Sequence, residues 1–278
     1  MFTTIISTAD LAAHLDDPNF VIADCRFKLD DIEAGRYAYF EAHVPGAVYA
    51  HLDYDLSGRK TGTNGRHPLP SPQLMNATFS AWGITTDSQV VAYDDAASGL
   101  GAGRMWWMLR YMGHEQVAVL DGGWQAWQTE GRPVEDGIVI RTPTTFLGRP
   151  RPEMRRDADS LVGLKVIDSR APIRYRGEQE PIDKVAGHIP GALNFHFGNV
   201  FDNAGRMLPP DQLRAKLRGA VGDTPPEQCV FYCGSGASAV MNLLAMEVAG
   251  LPGGKLYPGS WSEWISDPTR PIARGDQP

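Results

Sequence analysis

Long apolar runs are missing from this 278-residue chain. None reaches the ~18 residues that a membrane-spanning helix requires. Basic runs are missing as well. With 33 acidic against 26 basic residues and a net charge of -7, the chain is a poor candidate for nucleic-acid binding. Cysteine is scarce: Cys25, Cys229 and Cys233 are too few, and odd in number, for a disulfide framework. Cys229 and Cys233 stand four apart on an expected strand, roughly 13 Å, too far to bridge. No CxxC pair occurs, so no zinc site and no cofactor are expected. The stretch 1–15 lacks a basic start and contains Asp10, so it does not read as a signal peptide. Together these absences point to a reducing cytoplasm, with neither membrane nor nucleic acid as a partner.

What is present is the composition of a globular protein, 42% hydrophobic and 21% charged, which argues against a disordered or fibrous class. The length allows one large domain or two ordinary ones. The order of motifs favours two, because the chain repeats once. Phe20 to Arg26, ending Asp24-Cys25-Arg26, leads to His43-Val44-Pro45-Gly46-Ala47. Leu164 to Arg170, ending Asp168-Ser169-Arg170, leads to His188-Ile189-Pro190-Gly191-Ala192. Gln89 to Asp94 corresponds to Gln228 to Cys233, and Leu120 to Trp127 to the stretch from Leu256 to Trp264. Four blocks in one order describe a duplication of ~120 residues, an ordinary domain size.

Each copy alternates short apolar strands with helices, which implies α/β domains with a largely parallel sheet. Ser71-Pro72 is a helix start and Gly83 its stop; Asp211 to Arg218 is the matching helix of the second copy. The domains are therefore expected at 1–130 and 156–278. The proline-bearing stretch 131–155 is the expected linker. His43 and His188 recur in both copies and read as structural, before a Pro-Gly corner. The tryptophans at 106, 107, 124, 127, 261 and 264 read as core. Arg104, just past the first copy's loop, reads as a partner for Asp94 or Asp95.

The stretch 228–240 carries the chemistry. Val230, Phe231 and Tyr232 suit a core strand, and the apolar run from Ala237 to Ala249 suits a packed helix. Between them, Gly234 and Gly236 let the backbone curl so that several N–H groups share one small space. Cys233 falls where strand gives way to helix. Loop amides and the positive helix end both favour an anion there, which lowers a thiol's pKa. A lone cysteine is by default a buried core thiol. Two features favour a nucleophile: the flanking glycines, and the first-copy equivalent, Asp94 in Tyr93-Asp94-Asp95-Ala96-Ala97. One copy holds a working site and the other a degenerate one.

These blocks resemble the rhodanese family over nearly the whole chain, and the chain is similar to its tandem-domain sulfurtransferases. The resemblance rests on Asp-x-Arg followed by Gly187-His188-Ile189-Pro190-Gly191-Ala192, on the cysteine loop, and on Gly259-Ser260-Trp261-x-Glu263-Trp264. It implies two rhodanese-like domains, the first catalytically degenerate with Asp94 in place of cysteine. It also implies sulfur transfer through a Cys233 persulfide, from 3-mercaptopyruvate or thiosulfate to cyanide or a thiol. A thioredoxin-like reductant is the protein partner such chemistry admits. The uncharged loop Cys233-Gly234-Ser235-Gly236 is similar to the mercaptopyruvate branch. The resemblance sets Gly234, Gly236, Ala237 and Ser238 around the donor and gives Arg174 the donor's anionic end, where an isolated arginine would read as a surface salt bridge. It also pairs Ser235 with His67 and Asp53 as a proton relay; the bland alternatives are a loop-capping serine and a linker histidine. One departure stands out. A second arginine is expected after Glu180-Pro181, where Ile182-Asp183 stands instead; Arg176 and Lys184 are the nearby substitutes.

Two rival functions are a cysteine-dependent phosphatase or arsenate reductase, and a non-catalytic sulfur carrier or interaction module. The first wants an arginine closing the loop, but no basic residue lies between Cys233 and Val240. The intact cysteine loop argues against the second.

Overall fold

The computed structural model describes residues 1–95 and 100–278, so Ala96 and Ala97 of the first copy's loop lie outside the described residues. The chain divides into two compact units. Unit one comprises Met1–Gly58, Pro70–Arg151 and Asn203–Met207; unit two comprises Arg59–Leu69, Pro152–Asp202 and Leu208–Pro278.

In unit one the strands are β1 (Ile5–Ile6), β2 (Phe20–Asp24), β3 (Val48–Tyr49), β4 (Gln89–Tyr93) and β5 (Val117–Leu120). They form a parallel sheet in the order β1-β5-β4-β2-β3. The helices are α1 (Thr8–Ala12), α2 (Ala34–Glu41), α3 (Pro72–Ala81), α4 (Gly101–Tyr111) and α5 (Gly123–Thr129). Every residue of β2 and β4 is buried, which is why both read as continuous apolar runs rather than alternating ones. The α3 start is as the sequence expects: the Ser71 hydroxyl accepts from the Leu74 amide at 3.2 Å, and Pro72 opens the helix. Past its end Gly83 takes a φ of +74°, the left-handed geometry glycine adopts without penalty. The stretch 131–151 has little regular structure yet packs onto unit one. Its backbone finds partners there: His43 and Glu135 exchange amide bonds, and the Thr144 amide donates to Ser80 O at 2.9 Å.

Unit two repeats the plan with β6 (Lys165–Asp168), β7 (Leu193–Asn194), β8 (Cys229–Tyr232) and β9 (Lys255–Leu256), parallel in the order β7-β6-β8-β9. Its helices are α6 (Pro172–Tyr175), α7 (Pro210–Val221), α8 (Ala239–Val248) and α9 (Ser260–Trp264). On α7 the buried residues are Leu213, Leu217 and Val221, four apart, one face of a helix against the core. Each such side chain is worth roughly 1.5–3 kcal/mol. On α8 every residue from Ala239 to Met246 is buried, and the one polar member, Asn242, donates to Ser169 Oγ at 2.9 Å and Phe195 O at 3.0 Å.

The duplicated motifs build the same buried knot in each unit. Arg26 bonds Asp24 at 2.6 Å, reaches Ala42 O at 2.6 Å, and lies over the Trp124 ring at 4.4 Å. Arg170 bonds Asp168 at 2.6 Å, reaches Gly187 O at 2.6 Å, and lies over the Trp261 ring at 4.7 Å. His43 and His188 bond the carbonyls of Tyr39 and Tyr175, each at 2.8 Å, and stack on those same rings. A buried ion pair survives only when its remaining hydrogen-bonding capacity is filled. Asp-x-Arg and Trp thus recur together because each fills the other's surroundings, while each His packs on the tyrosine of the preceding helix. Trp106, Trp107, Trp127 and Trp261 are fully buried. Arg104 is buried too and donates to Leu56 O at 3.2 Å. Among the described residues no helix is long and apolar enough to cross a membrane.

Candidate active site

The site grows from the end of β8 in unit two. The Cys233 amide donates to Ser260 Oγ at 3.1 Å. Its carbonyl accepts from Trp261 N at 3.0 Å, and Gly234 O accepts from Ser262 N at 2.9 Å. The first residues of the loop are thus held by α9. Ser260 sits at a φ of 55°, the one non-glycine residue with positive φ among those described, so this clamp holds a strained backbone. Gly236 turns the loop with a φ of +73°, and a Cβ there would lie 2.2 Å from Pro258 O. Only glycine fits. The helix starts at Ala239, two residues later than the apolar run suggests, because 234–238 curl around the sulfur.

The Cys233 thiol is buried, which by itself would raise its pKa. The Ser238 hydroxyl and the amides of Ser235, Ala239 and Gly236 oppose burial and win, holding the thiol below its usual 9.0. The other cysteines go the opposite way. Burial, with Asp94, Asp24 and Asp55 nearby, pushes Cys25 well up; burial pushes Cys229 up to about 11. Of the three cysteines, only Cys233 has its pKa lowered.

Ser235 contributes twice. Its amide faces the thiol, and its hydroxyl lies 2.7 Å from His67 Nδ1. Both residues are buried. His67 precedes the linker in the chain but belongs to unit two, because the segment 59–69 packs there. Asp53 belongs to unit one, where its amide donates to His51 Nδ1 at 3.0 Å. Ala237 is buried in the loop.

Arg174, on α6, is neither on the surface nor idle. It binds Glu180 through Nε and Nη2 at 3.0 and 2.7 Å, and Asp183 through Nη2 at 3.0 Å. Those carboxylates are almost fully buried, so the pairing aims the guanidinium rather than leaving it in water. A Cβ built on Gly234 would lie 3.5 Å from Arg174 Nη2. Arg176 pairs outward with Glu178 at 2.7 Å, and Lys184 is exposed. Arg66, which no sequence motif singles out, also approaches the loop. Its Nη1 bonds Asp183, and its Nη2 lies 2.9 Å from that same Gly234 position. The available signal was its adjacency to His67.

In unit one, Asp94 stands where unit two has Cys233. Its Oδ2 accepts from the amides of Gly101 and Ala102 at the start of α4, both at 3.1 Å. In unit one a carboxylate thus occupies the helix-start amides.

The Rhodanese-like domain family matches residues 7–130 and 153–267. The chain belongs to the rhodanese family, and it is a sulfurtransferase. It is 44% identical, over 98% of both chains, to a Pseudomonas aeruginosa protein named "Probable 3-mercaptopyruvate sulfurtransferase". It is 34% identical to the 3-mercaptopyruvate sulfurtransferase of Escherichia coli, over 98% of this chain and 99% of that one. The 3-mercaptopyruvate sulfurtransferase structure from Leishmania major superposes with a TM-score of 0.86 at 29% identity, covering 94% of this chain and 74% of that one.

Proposed function

We propose that Cys233 accepts a sulfane sulfur from 3-mercaptopyruvate, and less readily from thiosulfate, and passes it to cyanide or a thiol. The observation that carries this is a buried thiol whose pKa is lowered, against burial, by a hydroxyl and three backbone amides. The thiolate attacks the donor sulfur and an S–S bond forms. With mercaptopyruvate the C–S bond breaks, its electron pair leaves on the enolate of pyruvate, and a proton converts that enolate to pyruvate. With thiosulfate the S–S bond breaks and sulfite leaves with the pair, needing no proton. The acceptor's anion then takes the outer sulfur and returns the Cys233 thiolate. The loop amides that stabilise the thiolate also suit the persulfide anion.

The Ser235–His67 contact favours mercaptopyruvate as donor, because a hydroxyl bonded to an imidazole can hand a proton to an enolate. The family resemblance adds Asp53 as the group that orients His67. Arg174 would hold the donor's anionic end, with Gly234, Gly236, Ala237 and Ser238 lining the place of its sulfur. Catalysis would belong to residues 156–278 together with the segment 59–69; the copy within 1–130 carries Asp94 at the loop position where Cys233 stands. Three free cysteines support a reducing, cytoplasmic setting, where a thioredoxin-like dithiol is a fitting acceptor.

The test is intact-protein mass after exposure to mercaptopyruvate. Wild type should gain one sulfur, as should Cys25→Ser and Cys229→Ser; Cys233→Ser should gain none and turn over no donor. Equal sulfur loading of Cys233→Ser would place the nucleophile elsewhere.

A further inference from the structure

We infer that Arg66 is a second anchor for the donor's anionic end, supplied from the segment 59–69 in place of the arginine absent after Pro181. The inference rests on the proposed sulfur transfer and adds a specificity-determining residue to it.

The segment is fixed to the cysteine loop by short contacts. The Arg66 amide donates to Ser262 Oγ at 2.9 Å, while the Ser262 amide holds Gly234 O. Ser266 Oγ donates to Thr63 O at 3.0 Å. Gly65 has a φ of +85° and approaches Gly259 so closely that a Cβ would lie 2.8 Å from its carbonyl oxygen. The Arg66 backbone is therefore positioned by the same helix that clamps Cys233.

Its side chain completes a pair. Arg66 and Arg174 approach one point beside Gly234, the residue after the nucleophile, and Asp183 lies between them with an oxygen for each. Asp183 is almost fully buried. Burial raises its pKa against the pull of Arg66, so the carboxylate is costly to keep charged there. Three guanidiniums, Arg66, Arg174 and Arg170, meet three carboxylates, Asp183, Glu180 and Asp168, so the charges balance without donor. One N–H is unused: Arg66 Nε is buried with no hydrogen-bond partner. A buried unpaired donor on a charged group is costly, and an incoming carboxylate or sulfonate satisfies it. Gly234 keeps the approach open, since any side chain there would collide with Arg66. Ile182 is partly exposed and apolar, and offers an anion nothing.

The experiment measures KM and kcat for mercaptopyruvate, and competitive inhibition by pyruvate, in wild type, Arg66→Met, Arg66→Lys and Asp183→Asn. For Arg66→Met we expect KM and the pyruvate inhibition constant to rise together by roughly ten- to hundred-fold, the worth of one charged hydrogen bond, with kcat changed far less. Arg66→Lys should fall between. Asp183→Asn keeps the shape but removes the competing charge, so its KM should drop. A purely structural role for Arg66 would instead lower kcat and melting temperature and leave pyruvate inhibition alone. That pattern, or a KM within twofold of wild type in Arg66→Met, overturns the inference. If Arg66→Met does not fold, Arg66→Lys and Asp183→Asn decide: unchanged KM in both overturns it. Wild type that takes no sulfur from either donor would sink the sulfur-transfer reading itself, an outcome separate from all of these.

Discussion

Ser238 offers the most direct measure of how this site makes a nucleophile. It is the residue before α8, where a serine ordinarily caps the helix, yet its side chain makes no capping bond. The hydroxyl is directed at the Cys233 sulfur instead. Ser238→Ala should therefore spare the helix most of the 0.5–2 kcal/mol that losing a cap typically costs, roughly speaking. What it removes is a hydrogen bond to an anion, worth about 1.5–3 kcal/mol. At about 1.36 kcal/mol per pKa unit, the thiol should rise by roughly one to two units. The sign follows from the titration. The reactive form is the thiolate, present above the pKa, and the wild-type pKa lies below 9.0. Below both pKa values the variant then holds roughly ten- to hundred-fold less thiolate than wild type. The assay is the single-turnover rate of persulfide formation against pH, with thiolate absorbance followed in parallel. The acid limb should move to higher pH in Ser238→Ala, and the alkaline plateau should match or exceed wild type, since a more basic thiolate is the better nucleophile. A limb that stays in place, with an unchanged melting temperature, would show that the amides alone set the thiol's pKa and would refute this reasoning.

Two further perturbations test the loop. Ser235→Ala should slow mercaptopyruvate more than thiosulfate, because sulfite leaves without a proton; equal slowing of both donors would remove the relay role from Ser235. Gly236→Ala places a side chain in the left-handed region, which costs roughly 1–2 kcal/mol, and drives its Cβ toward Pro258 O. Denaturant melts should show the loss and persulfide loading should fall, whereas wild-type values of both would mean the loop has another way to turn.

Much of the fold was legible because its motifs are packed to exact complements. Asp24, Arg26, His43 and Trp124 recur as Asp168, Arg170, His188 and Trp261, since each guanidinium needs a carboxylate, a carbonyl and a ring around it. Ser71, Pro72 and Gly83 announced α3 through local backbone chemistry. What could not be read depends on distant contacts. Strands β3, β7 and β9 have two residues each, too short to show a period. The segment 59–69 packs with unit two through Ser262, Ser266 and Gly259, about 200 residues away in the chain, and no local signal carries that. For the same reason the pairing of His67 with Ser235 came only from family resemblance, and Arg66 was missed altogether. Reading along the chain keeps a second arginine near Glu180, whereas the side chains around Gly234 come from segments far apart in the sequence.

The two copies also separate anion binding from catalysis. In each, a strand ends in an acidic group whose anion is held by amides at the start of a helix. Asp94 takes the Gly101 and Ala102 amides; Cys233 takes those of Ser235, Gly236 and Ala239, with the Ser238 hydroxyl added. Stabilising an anion at this place is therefore a property of the strand–loop–helix plan and not of the reaction. A carboxylate there accepts those amides itself. Its oxygen is a weak nucleophile toward sulfur and cannot carry a sulfane atom. A thiol needs the cradle more, because burial alone would leave it protonated, as it does Cys25 and Cys229. The asymmetry between Asp94 and Cys233 is thus chemical before it is geometric: the fold supplies the anion site twice, and only the copy with a polarizable, transferable atom in it turns binding into sulfur transfer.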